Sequence, residues 1–214
     1  MPQPLDKFKD FKMEKGERKN VYKVYNKMGK WFAQNRYAGL EEKTYLDDLL
    51  KRLPSNARIL DLGCGSGKPI LEYLISQNIN VLGIDASEQM LELARLNFPD
   101  TQFMLKDMRK LDLGEKFDAI IAWHSFFHLP AADQPGMFGV FRRHLKPNGI
   151  LLFTSGKDSG EVWAMNGGEN LFHASLDTEQ YQSLLKSNQF EVLTHKINDP
   201  NCGGANVWMA QYKP

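Results

Sequence analysis

Arg58-Ile59-Leu60-Asp61-Leu62-Gly63-Cys64-Gly65-Ser66-Gly67 is the stretch whose reading decides the fold. A short apolar run that stops at glycines reads as a buried strand running into a tight turn. Glycine at alternate positions lets the backbone turn sharply and lets a ligand approach where a Cβ would collide. Pro69 then opens a predicted helix over residues 69–77, since a first-turn proline gives up an N–H that has no intrahelical partner. Outward from there, predicted strands at 80–84, 101–105, 117–123 and 150–154 alternate with predicted helices at 87–97 and 133–145. Two helices at 20–32 and 40–53 precede the stretch. A helix at 177–188 opens on Asp177 and Gln180, a capping-box pair. Residues 190–197 and 206–212 read as a closing antiparallel pair, and the polar residues 157–170 as the longest loop.

Alternating strands and amphipathic helices specify a doubly wound α/β fold: a mostly parallel seven-stranded sheet, helices on both faces, and an antiparallel final strand. Residues 20–214 read as one domain with residues 20–53 as a helical cap, and residues 1–19 as a flexible lead-in. Ligands of such sheets sit at the carboxyl ends of the strands. Two familiar glycine loops fit poorly there. A phosphate loop needs glycine where Leu62 stands and Ser or Thr where Pro69 follows Lys68. The dinucleotide fingerprint needs Gly or Ala where Lys68 stands.

Three acids each end a successive strand. Asp61 precedes the glycines and suits a ligand carrying an ammonium and a sulfonium better than a pyrophosphate. Asp85 stands about 20 residues past the glycine loop, the place where ribose hydroxyls are read. An ionised carboxylate only accepts, so it takes both protons of a vicinal diol. Asp107, in Lys106-Asp107-Met108, suits an exocyclic adenine amino group. The bland alternatives are a tight turn, a helix-start acid and a solvated loop acid.

Composition narrows the partners. The 214 residues carry 27 basic and 26 acidic side chains, a net charge of +1, which leaves no electrostatic footprint for nucleic acid. The basic residues between 7 and 30 are interleaved with Asp6, Asp10, Glu14 and Glu17. Cys64 and Cys202 form no CxxC pair, so no thiolate metal site is expected. Residues 1–12 lack the apolar run of a signal peptide, and apolar runs such as 119–123 are too short to span a bilayer. A reduced, cytoplasmic protein without membrane partners is the expectation; monomer and homodimer stay open.

Over roughly residues 58–155, about half the chain, the sequence resembles the class I S-adenosylmethionine (SAM)-dependent methyltransferases. Asp61-Leu62-Gly63-Cys64-Gly65-Ser66-Gly67 is similar to that family's first motif, and Gly83-Ile84-Asp85-Ala86-Ser87 with Met90-Leu91 to its ribose segment. Lys106-Asp107-Met108 resembles its adenine turn, Phe117-Asp118-Ala119-Ile120-Ile121-Ala122 its fourth strand, and residues 144–152 its helix-to-fifth-strand signature. The resemblance implies that Asp61, Gly63, Cys64, Gly65 and Gly67 hold the methionyl part of SAM, that Asp85, Ala86 and Met90 attend the ribose, and that Asp107 and Met108 attend the adenine. It implies methyl transfer to a small molecule at O, N or S, with S-adenosylhomocysteine (SAH) as product. Ala122-Trp123-His124-Ser125 stands where amino-methylating DNA and protein-glutamine enzymes carry Asn/Asp-Pro-Pro-Tyr/Phe. There is no Pro-Cys nucleophile and no three-cysteine cluster.

Acceptor chemistry is expected just after the fourth strand. His124 and His128, four apart, are the candidate proton acceptors; ordinary packing is the competing reading. Trp123, Phe126 and Phe127 are candidates to flank adenine or wall the pocket, with core packing the competing reading. Tyr22, Tyr25, Trp31 and Phe32 with Asn35-Arg36-Tyr37 are expected to form a lid; Tyr25, Arg36, Tyr37, Phe127 and His173 are the candidate acceptor contacts, Arg36 for the SAM carboxylate or an anionic acceptor, with a surface arginine the alternative. The turn at residues 201–204 is expected to border the acceptor. His144, at a helix C-terminus, and His195, in a strand, are read as structural. Three rivals remain: an aminopropyl transferase on the same fold, a nicotinamide enzyme, and a SAM-binding regulatory module without catalysis.

Overall fold

A computed structural model describes residues 18–35 and 39–214. Among the described residues, α1 (Tyr22–Asn35) and α2 (Lys43–Lys51) come before the sheet. The core then alternates: β1 (Arg58–Leu62), α3 (Ile70–Ser76), β2 (Asn80–Asp85), α4 (Glu88–Asn97), β3 (Gln102–Leu105), β4 (Phe117–Ala122), α5 (Gln134–His144) and β5 (Leu145–Ser155). A hairpin, β6 (Gly160–Asn166) with β7 (Glu169–Ser175), precedes α6 (Thr178–Ser187), β8 (Phe190–Asp199) and β9 (Ala205–Tyr212). The strand order is β3-β2-β1-β4-β5-β9-β8, with β9 antiparallel to both neighbours.

Alternation along each strand builds the two core layers. Leu60, Leu62, Ile120, Leu151 and Phe153 face α5 and α6, packing on Phe138, Phe141, Tyr181 and Leu185. Ile59, Ala119, Ile121, Ile150 and Leu152 face α2 and α3, packing on Leu46, Leu49, Leu71 and Leu74. Both faces of β1 and β4 are therefore covered, which is why these strands read as apolar runs. The order reverses between β1 and β4, which opens a crevice at their carboxyl ends.

The fold overturns the predicted loop at 157–170. Those residues belong largely to the β6–β7 hairpin, paired from Gly160↔Ser175 to Asn166↔Glu169 around Gly167-Gly168 at positive φ. Trp163 of β6 and Phe172 of β7 join Val21, Val24 and Met28 in a third apolar cluster. Burying each of those aliphatic side chains contributes about 1.5–3 kcal/mol. Two ion pairs, Arg18–Glu161 and Lys27–Glu169 at 3.8 Å, also join the α1 side to the hairpin. α1 and the hairpin thus lean on one another above the strand ends. The capping box is formed, with Asp177 accepting from the Gln180 N–H and Gln180 from the Asp177 N–H. No described helix is long and apolar enough to cross a membrane.

Candidate functional site

The floor of the crevice is the turn after β1. Gly63 and Cys64 donate their N–H groups to the Ile84 carbonyl at 2.7 and 3.0 Å, which pins the turn to β2. Gly63, at φ 79°, could not carry a side chain: a Cβ there would lie 2.2 Å from the Ser125 Cβ. Ser125 in turn donates to the Leu62 carbonyl at 2.5 Å, so the segment after β4 is locked against the turn. Bare backbone at Gly63 and Gly65 lines a cavity of about 340 Å³. Gly67 does not line it; its Cα faces the Phe98 ring, which caps α4.

The acids fall into three different situations. Asp61 is buried beneath the turn and outside the cavity wall. Asp85 lies on the wall and ties the floor together, accepting from the Gly65 N–H at 2.9 Å on one oxygen and the Ser87 N–H at 2.8 Å on the other. Burial pushes its pKa up, against the pull of those N–H groups. Cys64 is buried behind the loop, and its thiol is pushed well up by burial and by the charges of Asp61 and Asp85. Asp107 lines the wall with Ala86, Met90 and Met108. It is clamped by Arg109, whose Nε lies 2.9 Å and Nη2 2.5 Å from its oxygens and whose Nη1 reaches Asp133 at 2.9 Å. Burial opposes ionisation of Asp107, but the guanidinium and the Arg109 N–H hold it below the usual carboxylate range. Arg109 escaped the sequence reading, although a cation two residues past a loop acid is a natural partner.

The opposite wall comes from the segment after β4. His124 sits at φ 48°, its N–H held by Thr154 Oγ1 at 2.9 Å, and its ring is exposed beside Trp123 and Phe127. Residues Phe126–His128 form a single 3-10 turn, so the two histidines do not share a helical face. His128 Nδ1 lies 2.8 Å from the Phe172 carbonyl and must donate to it; Nε2 therefore accepts from the Tyr25 hydroxyl at 2.9 Å. Burial, with His173 and His124 nearby, pushes His128 down to about 3. With both nitrogens engaged, His128 is a fixed hydrogen-bond post for Tyr25 rather than the expected proton acceptor. The His173 ring lies 4.8 Å from that of His128 and 5.3 Å from that of Phe127, and burial lowers its pKa too. Trp123 follows β4 and is separated in the sheet from the Asp107 turn by β1 and β2, so it walls the histidine side.

α1 and the hairpin supply the roof. Tyr22, Tyr25 and Phe32 share one helical face and reach the cavity, as do Val21, Asn166 and Leu171. Tyr22, Tyr25 and Phe32 belong to the aromatic stretch expected as a lid, whereas Trp31 of that stretch does not line the cavity; Val21, Asn166 and Leu171 were not expected, although the Gly167-Gly168 turn was an available signal. Arg36 and Tyr37 lie outside the described residues. The turn at 201–204 is corrected: Gly203 packs against Glu41, and none of its residues lines the cavity. His144 is a structural staple, its Nδ1 donating to the Val140 carbonyl at 2.8 Å and its Nε2 accepting from the Leu113 N–H at 3.1 Å. His195 stacks on Trp208 at 3.5 Å. Two recesses adjoin the cavity: an outer groove of about 900 Å³ past Ala86 and Asp107, and a recess of about 410 Å³ past Phe127 and His173.

Residues 59–149 match a family model described as a methyltransferase domain. The chain is 32% identical over 114 residues to the dTDP-3-amino-3,4,6-trideoxy-alpha-D-glucopyranose N,N-dimethyltransferase of Streptomyces venezuelae, covering 52% of this chain and 48% of that protein. It is 29% identical over 181 residues to the ubiquinone biosynthesis O-methyltransferase of Histophilus somni, covering 77% and 67%. The chain spans half or less of the length of the first curated relatives it matches, between 26% and 48%. Among solved structures it superposes on the SAM-bound magnesium protoporphyrin IX methyltransferase of Synechocystis PCC 6803 with a TM-score of 0.71, covering 96% of this chain and 100% of that one. At 15% identity that likeness carries the fold alone.

Proposed function

We propose that the chain is a class I SAM-dependent methyltransferase whose central cavity binds SAM and delivers the methyl group to a small-molecule acceptor at O, N or S, a reading supported by the methyltransferase-domain match over residues 59–149 and by the N- and O-methyltransferases it resembles. The observation that carries this reading is Asp85. It braces the glycine floor through Gly65 and Ser87 and borders the cavity beside that bare backbone. Carboxylate oxygens there take the hydroxyl protons of a ribose. The unsubstituted Gly63 and Gly65 give room for an aminoacyl chain, with the Asp61 charge buried below to favour a cation. Asp107, held ionised by Arg109, accepts from an amino-purine, and Met108 packs beside it.

When bound, SAM supplies a methyl group on a sulfonium, the electrophile of an in-line displacement. The protein then has to align the acceptor and keep water out. Trp123, Phe127, Phe32 and Leu171 close the site with apolar surface. Tyr25, held by His128, lines the cavity on the same side and positions the acceptor against the apolar wall. His124, exposed at the same wall, is the histidine placed to pass the acceptor's proton to solvent. The two buried free cysteines and the near-neutral charge support a cytoplasmic enzyme of small molecules rather than of nucleic acid.

Calorimetry with SAM, SAH, NAD and ATP tests the assignment, followed by an assay for SAH release with pooled metabolites as acceptors. SAM and SAH should bind and the two nucleotides should not. Binding of NAD or ATP with neglect of SAM and SAH overturns it. Tight SAM binding without SAH release across broad pools points to a regulatory module instead.

A further inference from the structure

The central cavity is small for what the proposed function asks of it. Pockets for single drug-sized ligands run from roughly 300 to 1,000 Å³. At about 340 Å³ this one lies at the low end, yet it has to seat a SAM-sized molecule and an acceptor together. One or both of them must therefore use the space that adjoins it. The outer groove meets the cavity at Ala86, Asp107 and Arg109, the side assigned to the adenine. The 410 Å³ recess meets it at Phe127 and His173, on the acceptor side.

That recess lies between residues 155–160, which leave β5, and the β6–β7 hairpin, and its wall is predominantly carbon. Val162 is the hairpin's contribution. It stands directly opposite His173 in the β6–β7 register, so the two side chains share a face. Val162 is 61% exposed, so its methyl groups are open to whatever enters the recess. Two of its serine hydroxyls are spent on the protein: Ser155 donates to the Gly156 carbonyl at 2.9 Å, and Ser175 lies 2.8 Å from the Leu176 carbonyl and 3.2 Å from that of Gly156, while Lys157, Asp158 and Ser159 stand exposed along its edge. At the doorway the His173 Nδ1 is buried and has no hydrogen-bond partner.

Resting on the proposed function, we infer that the recess past Phe127 and His173 is a distal acceptor subsite, which takes an apolar tail while the methylated head lies against Tyr25. The substrate class is then a two-part molecule: a compact head bearing an O–H or N–H, and an uncharged alkyl or aryl extension.

The test uses 4-alkylphenols, from 4-methylphenol to 4-heptylphenol, titrated calorimetrically into the protein saturated with SAH. Affinity should rise about three- to fourfold per methylene, the increment for burying one CH₂. Val162→Arg should flatten that rise while SAH binding and 4-methylphenol binding stay within twofold of wild type. Val162→Ala, a gentler change, should leave a reduced rise. In the wild-type protein the Val162 methyl NMR signals should move on adding 4-heptylphenol and not on adding 4-methylphenol. Failure of the phenols to bind at any length, an affinity independent of length, or an undiminished rise in Val162→Arg overturns the subsite while SAH binding upholds the family reading. Failure of wild-type protein to bind SAH overturns the proposed function and the subsite with it.

Discussion

His128 sits between the Phe172 carbonyl and the Tyr25 hydroxyl with both ring nitrogens used. Burial takes its pKa to about 3 from the ordinary 6.5. Between those values the unfolded chain holds a proton that the folded chain refuses. Its contribution to stability is thus complete above 6.5 and drains away as pH falls toward 3. In urea titrations from pH 6 down to 4, wild type should lose up to about 1.4 kcal/mol more per pH unit than His128→Gln. Equal slopes would show that the imidazole is not held neutral. At Asp85, replacement by Ala leaves the Gly65 and Ser87 N–H groups without their acceptor. It should weaken SAH binding tenfold or more by calorimetry, since each lost bond to a charged group costs about 1.5–3 kcal/mol. Gly63→Ala adds a left-handed alanine and a Cβ 2.2 Å from that of Ser125. The strain alone is about 1–3 kcal/mol, visible as an earlier denaturant midpoint.

At the scale of elements, α1 is tied to α4 by one side chain. Asn26 Oδ1 accepts from Ser87 Oγ at 2.7 Å and faces the Gln89 N–H at 3.4 Å, while Gly29 lets the helices approach to where a Cβ would lie 2.8 Å from Gln89 Oε1. Asn26→Ala should loosen the roof by about 1 kcal/mol. Hydrogen exchange of residues 22–35 in the SAH complex should quicken while β1 and β4 stay protected; unchanged exchange would deny the tether. These elements also mark what the sequence discloses. β1 to β5 were legible because strands buried on both faces are apolar runs that end at glycine or an acid. Asp85, the glycines and the segment after β4 followed from strand ends alone. The hairpin was not legible, because Trp163 and Phe172 find their burial on α1, far upstream in sequence, while Val162 and Met165 stay exposed. The Tyr25–His128 bond and the Arg109–Asp133 bond were hidden for the same reason: their partners meet only once α1 and α5 are docked.

Across the whole molecule, one sheet separates two apolar layers, and β9 contributes to both. Trp208 and Ala210 face α5 and α6, while Val207 and Met209 face α2. Trp208 stacks on Phe153 at 5.9 Å and donates its Nε1–H to Ser155 Oγ at 3.0 Å. Trp208→Ala should cost about 3–5 kcal/mol of stability. SAH affinity below the new melting range should stay within a few-fold of wild type, because none of these groups lines the central cavity. A collapse of affinity with the fold intact would mean that the sheet and the site are coupled more tightly than their contacts indicate.

The place of β9 also has a temporal consequence. It is the last strand in sequence but lies inside the sheet, between β5 and β8. As the chain emerges from a ribosome, β8 appears before the strand that joins it to the rest. Until β9 arrives, β5 waits with an open hydrogen-bonding edge, and such edges invite pairing with other chains. The interval between the synthesis of β5 and the arrival of residues 205–212 is therefore the one in which this sheet has most to shield.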